Sequence, residues 1–155
     1  MKKIITLNVN GNDYEIAVRD NRTLLEAIRE ECNFTGTKQG CDVGDCGSCM
    51  VLIDDIPIQS CLTLAVSSQG KKIVTVEGLA KNGEPHPVQK AFDDCGGAQC
   101  GFCTPGFLIT SKNLLDQNTN PSVDEIKDAL SGNLCRCTGY TKIIEAVQVA
   151  SKALN

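Results

Sequence analysis

The sequence predicts an α+β fold in two halves, a β-rich half with one helix followed by four helices. Three observations carry the prediction. Apolar residues alternate at Ile5, Leu7 and Val9 and again at Tyr14, Ile16 and Val18, the period of a half-buried strand. After Lys81–Pro87 the alternation stops and apolar residues recur at helical spacing. Eight of the ten cysteines fall into two quartets, one in each half.

The elements follow in order. Lys2–Asn10 and Asp13–Arg19 are two strands joined at Asn10-Gly11-Asn12, since Asn-Gly tolerates the positive φ of a tight hairpin. Thr23 and Glu26 form a capping box, and Leu24, Leu25 and Ile28 carry one helix to about Cys32. Cys32 lies on that apolar stripe and is read as a buried thiol. Thr35–Cys49 holds four glycines and is a loop that wraps something. Met50–Ile53, Ile56–Ile58 and Lys72–Glu77 are short strands. Lys81–Pro87 reads as a linker, with His86, the one histidine, as a surface residue. Four helices follow. Val88–Asp94 is the first, and the second runs from Thr104, as N-cap before Pro105, to Gln117. The third starts at the Ser122/Glu125 capping box, and the fourth spans Tyr140–Ala153. The second half thus echoes itself: helix, cysteine pair, helix, twice over.

Composition bounds the function. The chain has 155 residues, 41% hydrophobic and 22% charged, which suits one mid-sized or two small soluble domains. The expected division is 1–80 and 81–155. A net charge of -4, aromatics at 4% and the lack of Trp argue against nucleic acid as a partner. No apolar run is long enough for a membrane span, and the N-terminus alternates like a strand instead of forming a signal peptide. The expectation is a cytoplasmic protein whose cysteines bind metal, because disulfides belong to oxidising compartments.

Cys41, Cys46, Cys49 and Cys61 have the spacing C-x4-C-x2-C-x11-C. This is the plant-type ferredoxin signature of a 2Fe–2S cluster. Gly40, Gly44 and Gly47 let the backbone bring its N–H groups to the sulfurs. A zinc site would more often divide its ligands two and two; here they divide three and one. Cys100, Cys103, Cys135 and Cys137 form the second quartet, C-x2-C-x31-C-x1-C. Its spacing alone is closer to zinc. Two features favour a second cluster. Both pairs immediately precede helix starts, whose positive ends favour thiolates, and the single residue between Cys135 and Cys137 suggests that these two share one iron. Cys95 belongs to neither quartet and is read as a buried or half-buried thiol.

The stretches Gly40–Cys49, Gln99-Cys100-Gly101-Phe102-Cys103-Thr104-Pro105-Gly106 and Asn133-Leu134-Cys135-Arg136-Cys137-Thr138-Gly139-Tyr140 resemble the small iron–sulfur subunit of molybdenum hydroxylases, the group of xanthine dehydrogenase, aldehyde oxidoreductase and aerobic carbon monoxide dehydrogenase. The match spans nearly the whole chain. The resemblance implies a ferredoxin-like β-grasp domain followed by a four-helix bundle with a pseudo-twofold axis. It implies two 2Fe–2S clusters on the eight quartet cysteines, and an electron-transfer role in a multi-subunit oxidoreductase. It further implies a large partner with a molybdopterin-type molybdenum cofactor and a medium partner with FAD, as a dimer of heterotrimers. Gln99 matches the residue that hydrogen-bonds the pterin, and Cys137 the ligand near the pterin amino group. Electrons would pass from molybdenum to the second cluster, then the first, then FAD. Three other readings remain at this stage: a related 4-hydroxybenzoyl-CoA reductase subunit with reversed flow, a free-standing ferredoxin, and a zinc module.

Overall fold

The computed structural model describes residues 1–155. Five strands form one mixed sheet: β1 (Lys3–Val9), β2 (Asn12–Val18), β3 (Met50–Ile53), β4 (Ile56–Gln59) and β5 (Lys72–Val74), in the order β2-β1-β5-β3-β4. β1 and β5 run parallel, with Asn8 opposite Lys72 and Val9 opposite Ile73. The other pairs are antiparallel. The hairpin turn is the expected one, with Asn10 at φ 53° and Gly11 at φ 83°.

One face of the sheet buries Ile5, Leu7, Val9, Val51, Ile53 and Ile73 against Leu24, Ala27 and Ile28 of the first helix. That helix departs from the expected regular α-helix. The Thr23/Glu26 capping box is present and α1 spans Leu24–Glu26, but Ala27–Glu31 then widens to a π-helical turn. Its signature is the Cys32 N–H donating to the Ala27 carbonyl at 3.0 Å. Such a turn leaves no mark in apolar spacing. Cys32 is buried, and burial pushes its thiol up to about 11.

β5 stops three residues before the expected Glu77 because Asn10 captures Thr75. The Asn10 carboxamide accepts from the Thr75 N–H at 2.9 Å and donates to the Thr75 hydroxyl at 2.9 Å. The chain then turns through a 3₁₀ segment, Val76–Leu79.

The helices of the second half are α2 (Pro87–Asp94), α3 (Thr104–Gln117), α4 (Val123–Ala129) and α5 (Thr141–Leu154). They share a core of Val88, Phe92, Phe107, Ile109, Leu115, Ile126, Ile143 and Val147. Leu52 of β3 belongs to that same core, while its neighbours Val51 and Ile53 face the opposite side of the sheet. The unbroken run Val51-Leu52-Ile53 is therefore a strand buried on both faces, with the helices covering the side that α1 does not.

Two readings of helix starts are corrected. Thr104 is the first residue of α3, and Cys103 occupies the N-cap position. His86 is a half-buried cap of α2 and not a free surface residue: its Nδ1 accepts the Val88 N–H at 3.2 Å, and Gln89 Oε1 accepts the His86 N–H at 2.9 Å. Lys81–Glu84 closes into a tight turn through two backbone hydrogen bonds of 3.0 and 2.9 Å.

The cap makes a pH prediction. Burial, then the Lys112 and Lys81 charges, hold His86 below its ordinary value, with Asp116 opposing. A histidine depressed in the folded state contributes stability above about pH 6.5 that is lost as pH falls through its folded value. His86→Asn keeps a capping oxygen without a titrating nitrogen. The urea midpoint of the wild type is expected to fall between pH 8 and pH 5.5 more steeply than that of His86→Asn; parallel profiles would show that His86 does not carry the effect.

Candidate metal centres

The first quartet is assembled by three elements. Cys41 and Cys46 lie on the loop before β3, Cys49 immediately precedes β3, and Cys61 sits in a 3₁₀ turn, Ser60–Leu62, after β4. Cys49 and Cys61 are buried together with Leu25 of α1. Cys41 and Cys46 lie nearer the surface. The loop turns its amides to the sulfur, the Asp45 and Cys46 N–H groups lying 3.3 and 3.4 Å from Cys41 Sγ. Backbone N–H groups of Val43, Cys46 and Asp45 bring the Cys41 thiol down to about 7. Burial, with Cys49 alongside, pushes Cys61 up to about 11.

The second quartet joins two loops across the helical half. Cys100 and Cys103 precede α3; Cys135 and Cys137 precede α5. The sulfurs of Cys135 and Cys137, expected to share one iron, each have a partner on the opposite loop. The sulfurs pair across the two loops: Cys137 Sγ is 3.6 Å from Cys100 Sγ, and Cys103 faces Cys135. The loops oppose each other, and each of these pairs takes one thiol from each loop. Cys100 and Cys137 form an exposed outer pair, Cys103 and Cys135 a half-buried inner pair. Burial, then Cys135, pushes Cys103 up to about 12. Burial also acts upward on Cys135, but hydrogen bonds from the Thr138 hydroxyl and N–H, the Cys137 N–H and Cys103 together outweigh it and its thiol is lowered.

Both donor sets fit a 2Fe–2S cluster. At the second site the thiols stand as two pairs, Cys100 with Cys137 and Cys103 with Cys135, a division that suits two irons. A Cβ at Gly40 would come within 2.7 Å of Cys46 Sγ, so the loop is bare where a ligand sulfur needs room. The buried Cys61 and the half-buried Cys103 have their thiols pushed upward, and a bound cation would offset the cost of ionising them. Cys103 caps a helix of 14 residues, whose N-terminal dipole favours negative charge.

The two loops touch directly. The Leu134 N–H donates to the Cys46 carbonyl at 3.0 Å. The buried Asn133 carboxamide donates to the Gly47 carbonyl at 3.1 Å. A Cβ on Gly106 of α3 would meet the Gly47 carbonyl oxygen at 2.1 Å, and one on Gly47, at φ +69°, would meet the Gly132 carbonyl at 2.4 Å. The fold thus brings ligand candidates of both sites, Cys46 and Cys135, to either side of one backbone hydrogen bond. Sequence reading named the cysteines but missed Asn133 and Gly106 as the residues that join them. Their only signal was their position inside the two cysteine stretches. Gln99 lies exposed beside Cys100. Cys95 is half-buried at the end of α2 and packs against the helical core.

Comparison with known proteins matches residues 7–75 to the family described as 2Fe-2S iron-sulfur cluster binding domain, and residues 75–148 to the 2Fe-2S binding domain. The nicotinate dehydrogenase small FeS subunit of Eubacterium barkeri is 46% identical, over 97% of this chain and 96% of that one. Quinoline 2-oxidoreductase from Pseudomonas putida 86 superposes with a TM-score of 0.94 at 44% identity, over 98% of this chain and 95% of the matched chain. Aldehyde oxidoreductase from Desulfovibrio gigas superposes with a TM-score of 0.92 at 38% identity, over 99% of this chain but 17% of that larger one.

The close approach of the loops is testable. Gly106→Ala is expected to force the Gly47 carbonyl and Asn133 apart and to cost about 1–3 kcal/mol, the usual range for overpacking. A lowered urea midpoint measures it; an unchanged midpoint would mean that the Gly47 loop yields freely.

Proposed function

The chain belongs to the family of small iron–sulfur subunits of molybdenum hydroxylase-type dehydrogenases, and on that premise we propose that it relays electrons between a molybdopterin-bound molybdenum and FAD held on partner chains. It is part of an oxidoreductase, carries two 2Fe–2S-binding domains and serves electron transfer. No helix is long and apolar enough to cross a membrane. Cys41, Cys46, Cys49 and Cys61 would hold the first cluster and Cys100, Cys103, Cys135 and Cys137 the second, each supplying a one-electron carrier. The proposed division is a β-grasp domain, 1–80, and a four-helix bundle, 81–155.

The observation that carries the relay is the Leu134–Cys46 hydrogen bond of 3.0 Å. It supplies a short route of covalent bonds and one hydrogen bond between Cys135 and Cys46. A plain carrier has no need for it.

Each site also has an exposed side. Val43 and Leu62 are 68% and 62% exposed beside the first quartet, and Phe102 and Leu134 are 47% and 52% exposed around the second. Exposed apolar residues grouped at a redox site suit burial against partner chains. In this reading the surface with Gln99, Cys100 and Cys137 faces the large molybdenum subunit, and Gln99 and Cys137 approach its pterin. The surface with Val43 and Leu62 faces the medium FAD subunit. The complex is proposed as a dimer of heterotrimers. The names of the relatives, nicotinate dehydrogenase and quinoline 2-oxidoreductase among them, support a nitrogen heterocycle as the substrate of the large chain.

Purification of the tagged chain from its own cells is expected to bring two larger chains with molybdenum and FAD; a single-chain iron–sulfur protein would reject the subunit reading. In the assembled enzyme, Gln99→Ala should leave both clusters formed but slow their reduction by substrate, followed by stopped-flow absorbance. An unaltered rate removes Gln99 from the site. Cys103→Ser should abolish the second cluster and spare the first, so that iron and acid-labile sulfide fall by about half relative to a native content of about four each. Loss of both clusters would show that the two sites do not assemble independently.

A further inference from the structure

We infer that Thr138 sets the reduction potential of the second cluster through a hydroxyl hydrogen bond to the sulfur of Cys135. The inference rests on the reading that the second quartet holds a 2Fe–2S cluster.

Apart from the thiols themselves, Thr138 is the only residue whose side chain donates to a quartet sulfur at either site. In the first quartet the hydrogen bonds to Cys41 come from backbone N–H groups. In the second, Cys135 Sγ accepts from the Thr138 N–H at 3.4 Å and from the Thr138 hydroxyl at 3.1 Å. The hydroxyl contributes a donor that the first site lacks.

The surroundings leave the hydroxyl proton available to the sulfur. A threonine hydroxyl has one proton and two lone pairs. The Tyr140 N–H, 3.2 Å away, occupies a lone pair and leaves the proton for Cys135 Sγ at 3.1 Å. The Cys135 N–H donates to the Tyr140 hydroxyl at 3.0 Å, so the three residues close a ring of hydrogen bonds. The ring needs a sharp return of the chain. Gly139 and Tyr140 supply it with φ +63° and +67°, and a bulky residue pays for that conformation. The Tyr140 ring is held in place edge-on against Phe107, with centroids 6.1 Å apart. Backbone strain, aromatic packing and a ring of three hydrogen bonds, two of them made by the Thr138 hydroxyl, thus hold that hydroxyl in place.

The chemical consequence follows from charge. A thiolate bound to iron still accepts hydrogen bonds, and one-electron reduction adds negative charge to the cluster and its sulfurs. A fixed donor stabilises the reduced form more than the oxidised form, which raises the potential. Thr138 therefore makes the second site a better acceptor and narrows the downhill step to the first site. It acts through Cys135 and is a positioning residue.

The test is potentiometric titration of the purified complex with dithionite and mediators, with the two clusters resolved by electron paramagnetic resonance. Thr138→Val removes the hydroxyl at nearly constant shape and is expected to shift the second cluster's midpoint negative by about 59 mV, a tenfold change in a one-electron equilibrium. The first cluster should not move, and Thr138→Ser should restore a near-native value. Should Thr138→Val fail to assemble, Thr138→Ala must show the same negative shift. An unchanged midpoint in a variant with both clusters formed, equal shifts of both clusters, or a Ser variant displaced as far as Val would each overturn the inference. Absence of a second cluster from the wild type is a different result, and would overturn the functional reading beneath it.

Discussion

The structure depends on a place where two backbones meet with no room for a side chain. Gly106, in the first turn of α3, lies against the carbonyl of Gly47 in the first cysteine loop, and Asn133 fills the remaining space with a buried hydrogen bond to the same carbonyl. This contact aligns the start of α3, where Cys103 and Thr104 sit, with the loop that carries Cys46. It also leaves the Leu134 N–H opposite the Cys46 carbonyl. Any larger residue at Gly47 or Gly106 would separate the two sites. A buried carboxamide such as that of Asn133 is costly unless bonded, so the contact holds its own geometry.

Around this contact each quartet divides into a buried side and an exposed side. Cys49 and Cys61 are enclosed with Leu25; Cys103 and Cys135 lie against the helical core. Cys41, Cys100 and Cys137 are nearer the solvent. Thiolates on the buried side lose hydration, and a protein offsets that loss with fixed dipoles or a cation. The fold supplies dipoles selectively: loop amides at Cys41, the α3 N-terminus at Cys103, and Thr138 at Cys135. The remainder of the cost falls on the metal, whose binding is coupled to folding in such sites.

Much of this was legible in the sequence because periodicity and cysteine spacing are local signals. The hairpin Asn10-Gly11, β3, the capping boxes at Thr23 and Ser122, and the length of α3 lie where the residues point. What was not legible depends on partners distant in sequence. β5 ends early because Asn10, sixty-five residues away, takes the Thr75 amide. The first helix widens at Ala27 although its apolar stripe continues. His86 caps a helix that its flanking prolines made resemble a linker. The pairing of Cys100 with Cys137 crosses thirty-seven residues, and no spacing rule states which of two opposed loops supplies the nearer sulfur.

The helical half cannot be regarded as an appendage to a self-sufficient ferredoxin. β3 presents Leu52, 1% exposed, to the helical core. A β-rich half by itself would leave that side chain, with Met50 and Val74 beside it, in water, at a cost of about 1.5–3 kcal/mol for the leucine alone. Gly106 of α3, in that same helical half, lies against Gly47 beside Cys46. The surface that stabilises the sheet is therefore continuous with the surface that joins the two thiol quartets. Stability and the route between sites rest on one interface, which explains why the sheet buries both faces of its longest apolar run.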